Sequence, residues 1–239
     1  KDRGRAQPYL QRLEQEIQLI ACHLDPAQTV EQLHFGGGTP TFLSHDELRQ
    51  LMAHLRKHFN LLNDDSGDYG IEIDPREADW STMGLLRELG FNRVSIGLQD
   101  LDPAVQRAVN RLQSLEETRA VIDAARTLQF RSINIDLIYG LPKQTPDNFA
   151  RTVEEVISLQ PDRLSVFNYA HLPERFMPQR RINSSDLPSP ADKLEMLQRT
   201  IEQLTAAGYR YIGMDHFALP DDELAIAQEE QTLQRKFPG

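Results

Sequence analysis

Hydrophobic and polar positions along the chain follow two rhythms. Six short runs alternate with a period of two, at residues 33–35, 70–73, 94–98, 133–138, 164–167 and 209–214, each bounded by polar or glycine punctuation, and these predict strands. The stretches between them have helical spacing. Leu10, Leu13, Ile17, Ile20 and Leu24 form one apolar stripe. Ser44 with Glu47 makes a capping box ahead of Leu48, Leu51, Leu55 and Phe59, and Ser114 with Glu117 repeats it ahead of Val121, Ala125 and Leu128. Two further helices open on Thr145-Pro146 and Ser189-Pro190. The second carries Leu194, Leu197, Ile201 and Leu204 towards a glycine cap at Gly208.

Successive strands joined through one helix must be parallel, with right-handed crossovers, so a wound α/β sheet follows. An open doubly wound sheet and an incomplete (β/α) barrel both satisfy the pattern. There is no internal repeat and no low-complexity tract. A Pro- and Arg-rich loop runs from Leu172 to Pro190.

Each strand splits into two faces. Ile71 and Ile73 oppose Glu72 and Asp74; Val94, Ile96 and Leu98 oppose Ser95, Gly97 and Gln99; Ile133, Ile135 and Leu137 oppose Asn134 and Asp136. Leu33 and Phe35 likewise oppose His34 and Gly36, and Leu164 and Val166 oppose Ser165, with Phe167 an apolar exception. A polar face can simply meet water, but these strands carry few charges for that, and the pattern points to a roomy interior that takes a polar guest. Glu72 or Asp136 buried there without a partner would cost several kcal/mol or take up a proton. The strands also end in polar residues: Gly36-Gly37-Gly38-Thr39-Pro40, Asp74-Pro75-Arg76, Gln99-Asp100, Tyr139-Gly140, Asn168-Tyr169-Ala170-His171 and Asp215-His216. In parallel α/β folds ligands collect at these carboxyl ends.

Charge and cysteine usage narrow the chemistry. With 36 acidic and 26 basic residues the formal charge is −10, which argues against nucleic acid and anionic membranes as partners. No apolar run is long enough for a membrane helix, and a soluble cytoplasmic protein is expected. Cys22 is the only cysteine and falls off the apolar stripe, so it reads as an incidental thiol. The triple glycine lacks both the dinucleotide and the P-loop spacing, and by itself marks an exposed turn. His54 and His58 have metal-ligand spacing but no third ligand, which favours a solvated helix face and no metal site. His171, Asp215 and His216 are either titrating groups or structural ones. Arg175, Arg180 and Arg181 read as a solvated loop unless the substrate carries carboxylates.

Taken together, Gly-Gly-Gly-Thr-Pro at 36–40, Ile-Glu-Ile-Asp-Pro-Arg-Glu at 71–77, Asp-Leu-Ile-Tyr-Gly-Leu-Pro-Lys-Gln-Thr at 136–145, Phe-Asn-Tyr-Ala-His-Leu-Pro at 167–173 and Gly-Met-Asp-His-Phe-Ala at 213–218 resemble the oxygen-independent coproporphyrinogen III oxidase family of radical S-adenosylmethionine enzymes. The resemblance implies an incomplete parallel (β/α) barrel of the radical SAM type, a 4Fe-4S cluster and two S-adenosylmethionine molecules. It also implies an adenosyl radical that takes hydrogen from a propionate of coproporphyrinogen III, after which loss of carbon dioxide and an electron leaves a vinyl group. It assigns Gly37, Gly38 and Thr39 to the amino acid parts of S-adenosylmethionine through main chain, and Glu72 to the first cofactor molecule. Gln99, Arg111 and Asp136 also serve S-adenosylmethionine, and Ala170 offers backbone to an adenine. Alternation alone had marked Glu72, Gln99, Asp136 and the glycines, but not Arg111.

The family's CxxxCxxC cluster loop has no counterpart here, so residues 1–239 read as one partial barrel domain truncated at both ends, with the cluster only in the full-length protein and the fragment inactive alone. An electron donor and a monomeric state complete the expectation. Two other readings stand beside it: a radical-SAM-like haem-binding chaperone without oxidase activity, and an unrelated barrel enzyme that binds phosphate at the triple glycine.

Overall fold

The structure, a computed structural model, describes Asp2–Gln234; Lys1 and residues 235–239, the ends of the expected domain, lie outside the described residues. In chain order the elements are α1 (Ala6–Ala21), β1 (Thr29–Val30), β2 (Gln32–Phe35), α2 (His45–His58), β3 (Asn60–Leu61), β4 (Asp68–Ile73), α3 (Trp80–Glu88), β5 (Arg93–Gln99), α4 (Pro103–Ala108) and α5 (Leu115–Thr127). They continue with β6 (Ser132–Tyr139), α6 (Pro146–Ser158), β7 (Arg163–Asn168), α7 (Pro190–Ala206), β8 (Arg210–Gly213), β9 (His216–Ala218) and α8 (Glu223–Glu229). Two units emerge, Lys1–Ile96 with Ala120–Ser132, and Gly97–Arg119 with Ile133–Gly239.

In the first unit β2, β4 and β5 lie side by side, all parallel, in a register that sets His34 beside Gly70 and Glu72 beside Ser95. Ile71, Ile73, Val94 and Ile96 point into a core that also takes Leu48, Met52, Met83, Leu86 and Phe91, all at most 3% exposed. The Ser44 capping box forms in full and starts α2 at His45. The stripe of α1 is only half realised. Leu10 and Ile17 are buried against Leu51, but Ile20, in the last turn, and Leu24, beyond the helix end at Ala21, are about half exposed. A two-stranded parallel pair, β1 with β3, has no counterpart among the predicted strands; two residues each are too short to show alternation.

In the second unit β6 and β7 are parallel, and β7 then pairs antiparallel with β9, which pairs antiparallel with β8. The expected all-parallel run therefore ends in a hairpin, and residues 209–214 are only its first strand. The hairpin turns on Met214 and Asp215, at φ of 51° and 69°, the two left-handed residues of a tight primed turn. Methionine hides that turn from a sequence search for Asn-Gly or Asp-Gly. Thr145 and Ser189 cap α6 and α7, each with proline at the first turn, and Gly208 at φ 95° closes α7. The buried face of α7 is Met196, Thr200 and Leu204; Leu194 is 57% exposed, so the stripe is rotated by part of a turn from the one the leucines suggest. No helix among the described residues is long and apolar enough to cross a membrane.

Candidate functional site

The polar faces of β4, β5 and β6 are half-buried, while His34 on β2 and Gly36 just after it are exposed. Burial alternates residue by residue along β4 and β5 and through most of β6, with Glu72, Ser95, Gln99, Asn134 and Asp136 all intermediate. In β7 the alternation breaks, because Ser165 is itself buried and Phe167 is 39% exposed. The expectation of deeply buried carboxylates is corrected: the Glu72 side chain keeps 42% of its exposure.

In the first unit the glycine run follows β2. Gly37 and Gly38 take φ of 71° and 65°, which side chains resist, and a Cβ on either would meet nothing within 4 Å. Both glycines are exposed. The Gly37 N–H donates to Glu72 Oε2 at 3.1 Å, and His34 Nε2 lies 3.4 Å from Glu72 Oε1. Gly36 has different surroundings, the ends of two flexible side chains. A Cβ there would lie 2.7 Å from His34 Nε2 and 2.8 Å from Glu72 Oε1, so its missing side chain is the space in which the imidazole and carboxylate meet. Thr39 is half-buried just before the turn at Pro40–Phe42. A cavity of about 970 Å³, lined by Tyr9, Leu13, Phe35, Gly36, Gly37 and Thr39 among others, opens beside the run. Asp74 has a local role instead: it caps the turn at Pro75–Glu77 and pairs with Arg76 at 2.7 Å.

In the second unit Gln99 ends β5 at φ 72°, a left-handed conformation that costs a residue with a side chain about 1 kcal/mol or more. Its Oε1 is shut off from solvent and has no hydrogen-bond partner among the described residues. A buried acceptor without a donor is uncommon, and this one is free to accept from a polar ligand. The next residue explains how the kink holds. Asp100 is 1% exposed and accepts from Gln144 Nε2 at 2.5 Å, Thr152 Oγ1 at 2.9 Å and the Asp102 N–H at 2.7 Å. Burial pushes its carboxyl above the usual carboxylate range, against these donors, which pull it down. Arg111 donates to the Gly97 carbonyl on the same strand, which sets its guanidinium beside the Gln99 kink. On β6, Asp136 Oδ1 accepts from Asn134 Nδ2 at 2.8 Å, and Asn134 also bonds Ser165 of β7. Ala170 is exposed beyond β7, its carbonyl accepting from Gln179 Nε2 at 3.0 Å.

The predicted residues thus form one group around Gly37, Gly38, Thr39 and Glu72 in the first unit, and lie at or near strand ends in the second. His34 and Asp100 escaped notice as partners: His34 had been placed only on a face, and the register that seats it over Gly70 is not visible in a single strand. The histidine pair on α2 is corrected. His54 is not solvated but pairs through Nδ1 with Glu14 Oε1 at 3.0 Å, and His58 is half-buried. Cys22 is exposed, and Tyr169 hydrogen-bonds His171 Nδ1 at 3.1 Å. Asp215 sits in the β8–β9 turn.

In parallel α/β sheets ligands collect at the carboxyl ends of the strands, and this chain belongs to the radical SAM superfamily, whose model matches residues 3–156. The fold class is accordingly the family's mixed α/β, a partial barrel built from parallel strands. At finer grain the chain is 78% identical, over all 239 of its residues and 52% of the relative, to the oxygen-independent coproporphyrinogen III oxidase of Pseudomonas aeruginosa. It is 52% identical, again over its whole length and 52% of the relative, to the enzyme of that name from Escherichia coli. A solved structure of the Escherichia coli coproporphyrinogen III oxidase, described as a radical SAM enzyme, superposes with a TM-score of 0.95 at 52% identity, covering all of this chain and 54% of that one. The chain spans about half the length of the curated relatives it matches.

The family implies S-adenosylmethionine and a 4Fe-4S cluster, and the residues present answer differently to the two. The exposed main chain of Gly37 and Gly38, the half-exposed Glu72 carboxylate and the unpartnered Gln99 Oε1 suit a ligand with ammonium, carboxylate and ribose groups. The cluster does not fit: Cys22 is the sole thiol, and among the described residues no three His, Cys, Asp or Glu side chains are grouped to hold a metal.

Proposed function

We propose that this chain is the S-adenosylmethionine-binding part of an enzyme that oxidatively decarboxylates two propionates of coproporphyrinogen III to vinyl groups, in haem biosynthesis. The observation that carries the reading is 78% identity to an enzyme of that name along the entire chain, in a fold whose glycine run is exposed and whose Gln99 Oε1 has no partner among the described residues. Bound S-adenosylmethionine supplies the hydrogen-abstracting adenosyl group. This chain's part is to hold it. Gly37, Gly38 and Thr39 present main chain to the amino acid moiety, and Glu72 accepts from ammonium or ribose hydroxyls of a first molecule. Gln99, Arg111, Asp136 and Ala170 hold a second, with Arg111 facing a carboxylate and Asp136 hydroxyls. The reading includes a monomeric cytoplasmic protein that receives its electrons from a separate donor, and the net charge of −10 argues against nucleic acid and anionic membrane as partners.

The test is anaerobic turnover by the full-length, cluster-loaded protein, in which coproporphyrinogen III should become protoporphyrinogen IX with S-adenosylmethionine consumed. Haem binding without turnover would instead favour a chaperone, and a thermal shift from phosphate but not from S-adenosylmethionine an unrelated barrel enzyme. A finer expectation concerns Gly36→Ala. The added methyl drives His34 and Glu72 apart, so affinity for S-adenosylmethionine in the full-length protein should fall about tenfold, the equivalent of one good hydrogen bond. Calorimetry reads this directly, and unchanged affinity would show that the carboxylate has no such role.

A further inference from the structure

The segment after β7 has a composition that the cofactor does not use. Within ten residues it places Leu172, Phe176 and Met177 at 39%, 53% and 70% exposure, interleaved with Arg175, Arg180 and Arg181, which are exposed too. In a chain with ten more acids than bases an arginine readily finds a carboxylate, as Arg163, Arg199 and Arg210 do. Among the described residues none of the three strap arginines has one within ion-pair distance; Arg180 only donates its Nε to the Pro173 carbonyl, at 3.0 Å. Their terminal nitrogens are exposed and accessible to an anionic ligand.

This strap is also held in shape. The Arg175 and Phe176 amides both donate to the Leu172 carbonyl at 3.0 Å, and a 3-10 turn spans Met177–Arg181. Gln179 closes the loop on itself: its Nε2 donates to the Ala170 carbonyl and its Oε1 accepts from the Leu172 N–H. A charged loop with no binding task needs no such clasp. The clasp fixes the strap to Ala170, the residue assigned above to the adenine.

We infer that residues 172–181 grip the substrate, with Arg175, Arg180 and Arg181 taking propionate carboxylates and Phe176 and Met177 lying against the apolar tetrapyrrole. An amphipathic polycarboxylate is the ligand class that needs both chemistries in one short segment, since guanidinium groups bind carboxylates in two-pronged fashion while the ring seeks apolar contact. This rests on the function proposed above, because that function supplies the polycarboxylate.

The probe is coproporphyrin III, the aromatic, unreactive form with the same four propionates, titrated against full-length cluster-loaded protein by fluorescence quenching at low ionic strength. The triple variant R175Q/R180Q/R181Q should bind it about thirtyfold more weakly and with a flatter salt dependence, while its S-adenosylmethionine affinity stays that of wild type. The lysine triple variant should recover part of the loss, since it restores charge without the fork. Coproporphyrin tetramethyl ester should bind wild type and the glutamine variant alike. Equal affinity of wild type and the glutamine variant for the tetra-acid overturns the assignment while leaving the proposed function intact if coproporphyrinogen III is still converted. A wild-type protein that neither binds nor converts the tetrapyrrole overturns both.

Discussion

Glu72→Leu in the full-length protein should lower affinity for S-adenosylmethionine by about a hundredfold, in line with the loss of roughly 3 kcal/mol from charge-assisted hydrogen bonds. The carboxylate has two tasks that leucine abandons together. One oxygen is held by the Gly37 N–H and so steadies the glycine run, and the other stands beside His34. With 42% of the side chain exposed, solvent already screens it, so folding should change little, by about 1 kcal/mol or less. Calorimetric titration alongside a thermal melt separates the two effects. A binding loss matched by a large fall in Tm would mean that Glu72 is a structural residue, and full affinity would remove it from the site.

Asp100 should behave in the opposite way. Asp100→Ala leaves Gln144, Thr152 and the Asp102 amide without their acceptor in a place water does not reach, and each buried donor so abandoned costs about 1 kcal/mol or more, for a total near 3 kcal/mol. The expected result is a Tm lowered by several degrees in the full-length protein. Stability should also respond to pH in a definite direction. Burial raises the folded-state carboxyl above 3.8, so between that value and the raised one the native state binds more protons than the unfolded state, and stability contributed by Asp100 falls as pH rises through the window. The gap between wild type and Asp100→Ala should therefore widen from neutral pH towards pH 4. A gap that narrows there would mean that the three donors outweigh burial.

The period-two rhythm made both the strands and their polar faces legible, because a half-lined strand must alternate, and it pointed to Glu72, Gln99 and Asp136 without any knowledge of neighbours. What it did not show depends on contacts between distant segments. The meeting of His34 and Glu72 over Gly36 needs the register of β2 against β4. The Asp100 hub needs Gln144 and Thr152, which lie 44 and 52 residues further along the chain. The antiparallel end of the sheet was hidden by Met214, which adopts a conformation its side chain does not advertise. Arg111 carries no local mark at all. Its place beside the β5 kink comes from a bond to the Gly97 carbonyl, and only the family resemblance singled it out beforehand.

Gln99 has an implication for how occupancy and folding are linked. Glycine would sit in that backbone conformation without strain, so a chain chosen for durability alone would carry glycine, and the amide there weakens the empty protein. If the ligand proposed above donates to Oε1, it satisfies the acceptor, though not the backbone strain, and ties its own binding to the end of β5. The loaded protein should accordingly resist heat and proteases better than the empty one, with the difference concentrated around this single bend.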